Sequence, residues 1–446
     1  MLNMSIRLPR RCRTAALALV LAGAAAFSPA FAAVPLGDQA TYLTGVERLI
    51  ASGDLATAEK ALLGHRFDGE DNAFRAAFLL AMVKGRTGRL VEAEKLLRQM
   101  LAQRPNLERV QLELAHVLAA QGRREAAAYQ LRRLADASGN DLARSELEGL
   151  IDRINPRGGW SANVFMTLAP STNVNNGSRN TTILVGGLPF AIADDGRAQS
   201  GIGATSGVSL SYARPLSEKL TAFVAGSASF TNYSGGPYDK PLIELQAGLR
   251  HRGLKHFLSA ELLVDKVWLG GDANSHGLGG RITGRWSVAP KWLLSADTTF
   301  MSRFADTPAG ADANTWRSNT ALRFSPSIAM SFWAGGGYET EEVRGRRFSS
   351  YRQWSGTLGH SRELSHGISV SAQLTLGSRG FEADFPGMGE PRRDEFYELR
   401  ATVMKRDFQI FGVTPRFGIS YLDQTSNVAL YDFDRWSGDV TLTREF

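Results

Sequence analysis

Histidines, serines and carboxylates are the residues with which this chain could do hydrolytic or metal chemistry. Its seven histidines include His251, His256, His276, His360 and His366 in the C-terminal half. A serine hydrolase needs a nucleophile on a sharp turn such as G-x-S-x-G, with a histidine and an acid in reach. None of these histidines accompanies such a turn, and they read as solvated or interfacial side chains. No H-x-x-x-H pair offers two imidazoles to a metal on one helix face. Asp194-Asp195 could ligate Ca2+, but a solvated loop is the preferred reading. Gly335-Gly336-Gly337 lacks the lysine of a phosphate-cradling loop and reads as strand glycine. Cys12 is the single cysteine. The expectation is a protein that is not an enzyme and holds no cofactor and no metal.

The N-terminus accounts for the lone cysteine and for much of the charge. Arg7, Arg10, Arg11 and Arg13 precede an apolar run, Ala15 to Phe27, and Ala30-Phe31-Ala32 supplies a small-x-small cleavage pattern. This reads as a secretory leader, residues 1–32, cut between Ala32 and Ala33. The run is short for a spanning helix, which needs about 20 apolar residues. Cys12 lies before the run, where a lipidated cysteine would not. The whole chain is +7, from 51 basic and 44 acidic residues. Without the four leader arginines it is about +3, too weak a bias to point to nucleic acid.

The elements fall into two compositions. Residues 33–155 are rich in Ala, Leu, Arg and Glu at helical spacing, and Asn155-Pro156-Arg157-Gly158-Gly159 breaks the pattern. Within them Gly53, Gly88 and Gly122 recur 35 and 34 residues apart. Each is followed five positions later by Ala58, Ala93 or Ala127 and nine later by Leu62, Leu97 or Leu131. This resembles tetratricopeptide repeats, with their period of about 34 residues; a generic array of helical hairpins is the alternative. Stacked helix pairs offer a concave face for protein or peptide binding. Leu80, Lys84, Leu114 and Leu118 are the candidates for that face, with helix packing the competing role for the leucines.

From 156 to 446 the period becomes two. Ile368-Ser-Val370-Ser371-Ala372-Gln373-Leu374 alternates apolar with polar, and Val413 to Tyr421 sets Arg416 and Ser420 opposite the apolar set. Fourteen such segments are expected, near 159–169, 204–214, 219–233, 240–252, 256–269, 276–289, 291–304, 312–325, 327–340, 349–362, 367–381, 393–406, 411–425 and 433–446. Short connections alternate with longer ones at 170–203, 234–239, 270–275, 305–311, 341–348, 382–392 and 426–432. That is the pattern of an outer-membrane barrel, with Ser371, Gln373 and Arg416 facing its lumen. A soluble array of β-sandwiches is the alternative. Trp160, Tyr212, Trp268, Trp286, Trp292, Trp333, Trp354, Tyr421 and Trp436 are the interfacial girdle candidates. The end, Asp439 to Phe446, resembles the C-terminal signal read by the barrel assembly machinery, with Phe446 as its aromatic; Arg444 departs from the usual apolar residue. The fold class is therefore an α+β multidomain chain: tetratricopeptide-like helices, then a 14-stranded antiparallel transmembrane β-barrel.

Pro170-Ser171-Thr172-Asn173-Val174-Asn175-Asn176, after the Gly159-Trp160 strand, reads alone as a polar turn cluster. With the order and sizes of the parts, it resembles the start of the barrel in the surface lipoprotein assembly modulator family, Slam. The resemblance covers essentially the whole chain after the leader. It implies an outer-membrane protein with its N-terminal domain in the periplasm, exporting partner proteins to the cell surface. Cargo would be surface lipoproteins or soluble secreted proteins such as metal or haem scavengers. The implied partners are that cargo, the outer-membrane bilayer and the barrel assembly machinery, with a monomeric barrel and no nucleic acid. A polysaccharide exporter, a porin-like channel and an outer-membrane enzyme are the rival readings. The short repeat array argues against the first, and a passive channel would not need the repeats.

Overall fold

The computed structural model describes residues 36–154, 158–233, 236–406, 408 and 414–443. The leader with Ala32 and Ala33, and the terminal residues Arg444 and Phe446, lie outside the described residues. The chain divides into two compact units, Met1–Val83 and Lys84–Phe446.

The helical elements are α1 (Leu36–Ser52), α2 (Leu55–Leu63), α3 (Glu70–Arg86), α4 (Leu90–Gln103), α5 (Glu108–Ala120), α6 (Arg124–Ala137) and α7 (Asp141–Ile154). The recurring glycines end α1, α3 and α5 in the same way. Gly53, Gly88 and Gly122 sit at φ +86°, +81° and +78°, a left-handed conformation that a Cβ opposes. The next residue's N–H reaches back in each case, Asp54 to Leu49 O, Arg89 to Lys84 O and Arg123 to Leu118 O. This is a Schellman cap used three times. The recurring alanines are the close-approach points: Ala58, Ala93 and Ala127 have no exposed surface. In the first unit Leu43, Val46, Ile50, Leu62, Leu79 and Val83 form the core.

The strands are β1 (Gly159–Ser171), β2 (Thr182–Val185), β3 (Leu188–Ala191), β4 (Gly201–Pro215), β5 (Leu220–Asn232), β6 (Lys240–Arg252), β7 (His256–Leu269), β8 (Asp272–Ala289), β9 (Trp292–Ala305), β10 (Ala313–Ser327), β11 (Met330–Val343), β12 (Tyr351–Glu363), β13 (Ile368–Asp384), β14 (Pro391–Lys405), β15 (Thr414–Ser426) and β16 (Phe433–Thr443). All but β2 and β3 form one closed antiparallel barrel of fourteen strands, each beside its sequence neighbour, with β1 between β4 and β16. β2 and β3 make a separate hairpin inside the first long connection, unforeseen because each is only four residues long. The expected loop at 270–275 is a tight turn instead. Gly270 and Gly271 at φ +60° and +96° let β7 and β8 join directly, and the strands run on.

Apolar side chains lie on the outer face. Trp354, Leu358 and Leu376 are more than half exposed, as are Val164, Leu262 and Ile282. In water such a surface would aggregate; in a bilayer it is the lipid-facing belt of an outer-membrane barrel. Inward residues pair hydroxyls across strands, as in Ser371–Thr402 at 2.6 Å, Thr357–Thr375 at 3.1 Å and Ser331–Ser361 at 2.8 Å.

Candidate functional site

In the second unit, helices α4–α7 are clamped to the end of the barrel that carries the short turns. The β10–β11 turn is the plug of that joint. Ile328 is buried in one cluster with Ala115, Ala128, Leu131, Leu134 and Ile151 of the helices. Arg133 donates to the Ile328 carbonyl at 2.6 Å and meets Glu363 at 2.5 Å. Arg406 reaches the other oxygen of the same carboxylate. The Ala329 N–H donates to Asn106 Oδ1 at 3.1 Å. At the far side of the mouth Arg252 meets Asp152 at 2.7 Å and Lys255 meets Asp141 at 2.6 Å. Turns of different strands are thus held by different helices.

Between α6, α7 and the ends of β1 and β4–β9 lies a cavity of about 1140 Å³. Its wall carries nine Lys or Arg side chains against four carboxylates, an excess of five positive charges. Burial pushes the Asp136 carboxyl above its ordinary range, and the charges of Arg323, Arg144, Arg285 and Arg132 only partly offset that. Burial also raises Glu148, against Arg252 and Arg144. On the neighbouring helix α4 burial likewise favours the neutral form of Glu94. There Arg98, Gln121 and Arg123 more than reverse it and hold the carboxyl below its usual value.

The second feature is the seam where the barrel closes. β1 pairs with β4 at all thirteen of its residues. Toward β16, positions 165–171 face 437–443, yet among the described residues the ladder holds at Thr167–Thr441, Leu168–Val440 and Ser171–Ser437 alone. One reason is Pro170, which has no N–H to give and lies opposite Gly438. The first six residues of β1, Gly159–Val164, are all exposed rather than alternating.

The outer end of the seam is latched. Asn173 is buried; its amide donates to Gly177 O at 2.9 Å and Asp434 O at 3.2 Å, and its carbonyl accepts from Gly177 N at 2.8 Å. Asn175 accepts from Gln199 N and donates to the carbonyls of Asp195 and Arg197, which folds the first long loop on itself. Asn176, at φ +51°, accepts from Arg435 at 2.6 Å. Arg179 then pairs with Asp423 and, at 2.8 Å, with Asp432. Ser178 donates to Ala429 O at 2.5 Å. The asparagine segment thus ties the loop after β1 to the start of β16, and Ser178 and Arg179 tie it to the loop before that strand.

Ser371, Gln373 and Arg416 lie on the inward face, Gln373 beside Arg400 and Arg416 beside Met404 in the register. Two expectations need correction, the partner-facing role of Leu114 and Leu118 and the girdle role of Trp333. Leu114 and Leu118 are 1% and 0% exposed, so they form the helical core and present nothing to a partner. Leu80 packs on the first unit's core, and Lys84 pairs with Glu92 at 2.5 Å. Trp333 is no girdle residue: it faces inward over Gly359, with Arg323 5.4 Å from its ring. Asp194 pairs with Arg197, so the Asp194-Asp195 segment is a folded loop. His251 and His256 stack on each other, with ring nitrogens 3.2 Å apart. The clamp residues Arg133 and Glu363 were missed; nothing in the sequence links two charges 230 positions apart.

The family model of the surface lipoprotein assembly modifier matches residues 160–446. A surface lipoprotein assembly modifier of Pasteurella multocida is 23% identical over 388 residues, 82% of this chain and 75% of that protein. One of Moraxella catarrhalis is 25% identical over 359 residues, 78% of this chain and 68% of that protein. One of Neisseria meningitidis serogroup B is 22% identical over 416 residues, 89% of this chain and 81% of that protein. Among solved structures, a Pseudomonas aeruginosa FadL homologue aligns with a TM-score of 0.35 at 11% identity, over 69% of this chain and 96% of that one. The chain belongs to the surface lipoprotein assembly modifier family.

Proposed function

Proceeding from that membership, we propose that this protein is an outer-membrane translocon that moves partner proteins from the periplasm to the cell surface. The cargo is a surface lipoprotein or a soluble secreted protein such as a metal or haem scavenger. Residues 1–32 act as the leader, 33–155 as the periplasmic recruiting domain and 156–446 as the conducting barrel. The observation that carries this reading is the clamp. A passive pore has no use for helices fixed across its mouth, whereas a protein exporter must present a chain to the entrance. Holding cargo there raises its effective concentration at the barrel. Ser371, Gln373 and Arg416 belong to the polar inner wall along which cargo passes. The protein works as a monomer, is inserted by the barrel assembly machinery through its Phe446 end, and catalyses no reaction. The driving force is cargo folding outside the cell.

Purified full-length chain in liposomes tests this reading, with a candidate cargo encoded beside it added outside. Cargo protected from external protease only in vesicles that contain the chain supports translocation. Equal protection in vesicles without it refutes the proposal. The positive cavity also suits an acidic polysaccharide, the second reading; that polymer would then enter the same vesicles and the protein cargo would not.

A further inference from the structure

Charge along the inner wall of the barrel is balanced at some levels and not at others. Away from the helices, arginines that face the lumen have carboxylate partners: Arg303 meets Asp265 at 2.9 Å, Arg317 meets Glu339 at 2.6 Å, and Arg400 pairs with Asp439. At the joint with the helices the balance is lost. Arg124 of α6, Arg144 of α7, Lys219 before β5, Arg250 of β6 and Arg285 of β8 line the cavity of about 1140 Å³, and none of them forms an ion pair among the described residues. We propose that this cavity is a binding site for a carboxylate-rich, unfolded segment of a partner protein, held between α6–α7 and the barrel wall before it enters the lumen. The proposal rests on the translocon reading and names the chemistry of the cargo segment and the place where it waits.

Three observations support it. Arg144 is only 4% exposed, yet its guanidinium makes no hydrogen bond or ion pair among the described residues. Asp136 and Glu148 feel its charge without bonding to it. A charge that deep is costly unless it is paired, so an anion entering the cavity gains most there. The second observation is that the wall comes from both sides of the joint. One anionic chain in the cavity meets Arg124, Arg132 and Arg144 on the helices and Arg250 and Arg285 on the strands. It therefore ties helix to barrel, as the Glu363 carboxylate does with Arg133. The third is size. Pockets that enclose a drug-sized ligand run to about 300–1,000 Å³, and this cavity is larger, with room for several residues of a chain. A cleft lined by one sign of charge concentrates ligands of the other sign. The paired arginines elsewhere in the lumen offer no such excess, so the acidic segment is retained at the entrance. Asp136 opposes it: the charges of Arg144, Arg285 and Arg132 already act on that carboxylate, which competes with an incoming anion.

The test uses the full-length chain in nanodiscs of zwitterionic phosphatidylcholine and two fluorescent decapeptides, one alternating Glu and Gly, the other Lys and Gly. Anisotropy should show the Glu/Gly peptide binding at least tenfold more tightly. Arg250→Gln combined with Arg285→Gln should weaken it at least tenfold. Arg352→Gln, at the far end of the strand that carries Glu363, should leave it unchanged. Asp136→Asn should tighten it severalfold, a gain that misfolding cannot mimic. Bound peptide should also slow amide exchange in α6 and α7. Equal binding of the Lys/Gly peptide overturns the charge argument, and equal loss in Arg352→Gln overturns the site. Unchanged or weaker binding in Asp136→Asn overturns it as well. Displacement of the peptide by an equal concentration of inorganic phosphate makes the cavity a single-ion site, and tighter binding of an oligogalacturonate of the same charge makes it a polysaccharide site; either overturns the proposal. Unchanged exchange in both helices overturns the bridging. Because the readout is binding, failure here with cargo export intact removes the cavity site and leaves the translocon. Binding without any cargo export removes the translocon and leaves the site.

Discussion

Replacing Glu363 by Gln should loosen the helices from the barrel more than replacing either arginine that touches it. Glu363 is 12% exposed as a side chain, and Arg133 and Arg406 are 17% and 14% exposed. Glutamine keeps the shape but removes the carboxylate charge that lies between two largely buried guanidinium groups. Breaking a buried pair by removing one partner costs about 3–5 kcal/mol. Arg133→Met removes one charged partner and the bond to Ile328 O but leaves Glu363 with Arg406. Its cost should be about 1.5–3 kcal/mol, that of a hydrogen bond to a charged group. The double variant should fall short of the sum by about 1–3 kcal/mol, since the two changes remove one shared interaction. Hydrogen exchange on the full-length chain in nanodiscs reads this directly. Amides of α4–α7 should exchange roughly a hundredfold or more faster in Glu363→Gln, at about 1.4 kcal/mol per factor of ten. Heat-modifiable migration of the barrel should be unchanged. Exchange equal to that of the unaltered chain, or strict additivity in the double variant, would refute the claim that this triad fixes the helices.

Other consequences can be checked separately. Asn173→Asp should harm the loop latch more than Asn173→Ala: a carboxylate faces the Gly177 and Asp434 carbonyls with no donor, and each buried group left unpaired costs about 1–3 kcal/mol. Protease nicking of loop 172–200 on intact cells measures it, and equal nicking in the two variants would sink the reasoning. Asp136 and Glu148 are raised by burial, so their stabilising contribution is complete below the ordinary carboxylate range and fades as pH rises through their folded-state values. Glu94 is lowered, so its contribution is present at neutral pH and is lost on acidification. Asp136→Asn should therefore raise the thermal midpoint of the helices at neutral pH and flatten its decline as pH rises, as followed by circular dichroism; no gain at neutral pH would contradict the burial argument. Thr167→Cys with Thr441→Cys should form a disulfide on oxidation, because the two hydroxyl oxygens are 3.3 Å apart and the only native cysteine is Cys12. A thiol-labelling assay should find both sulfhydryls consumed, and free thiols after oxidation would mean the seam is not paired there.

Much of the barrel was legible because its period is strict. Residues 368–376 alternate on a two-residue repeat, and a one-residue slip would turn every apolar side chain inward, so register and strand position follow from pattern. The helical turns were legible for a related reason: Gly53, Gly88 and Gly122 occupy a conformation that few other residues adopt. The alternation near 270–275 was hidden because Gly270 and Gly271 look like loop composition while making a two-residue turn. The site was harder to read. Leu114 and Leu118 looked like a face because core and surface leucines share one spacing, and burial decides between them. The clamp of Arg133, Glu363 and Arg406 joins residues far apart in sequence, and a charge carries no local sign of its partner. The asparagines did stand out as a cluster, and their geometry gives them a use that composition could not: they pin the loop after the first strand to the start of the last strand.

The central claim is that this helix-clamped barrel carries a partner protein across the outer membrane. Its most direct test is surface exposure of a candidate cargo, encoded beside this protein and expressed with it in a Gram-negative host, measured by protease accessibility on intact cells and by release into the medium. The account predicts exposed or released cargo when the full-length chain is present, and little of either when the clamp is broken by Glu363→Gln. Cargo that stays periplasmic beside a correctly inserted, unaltered barrel would contradict it.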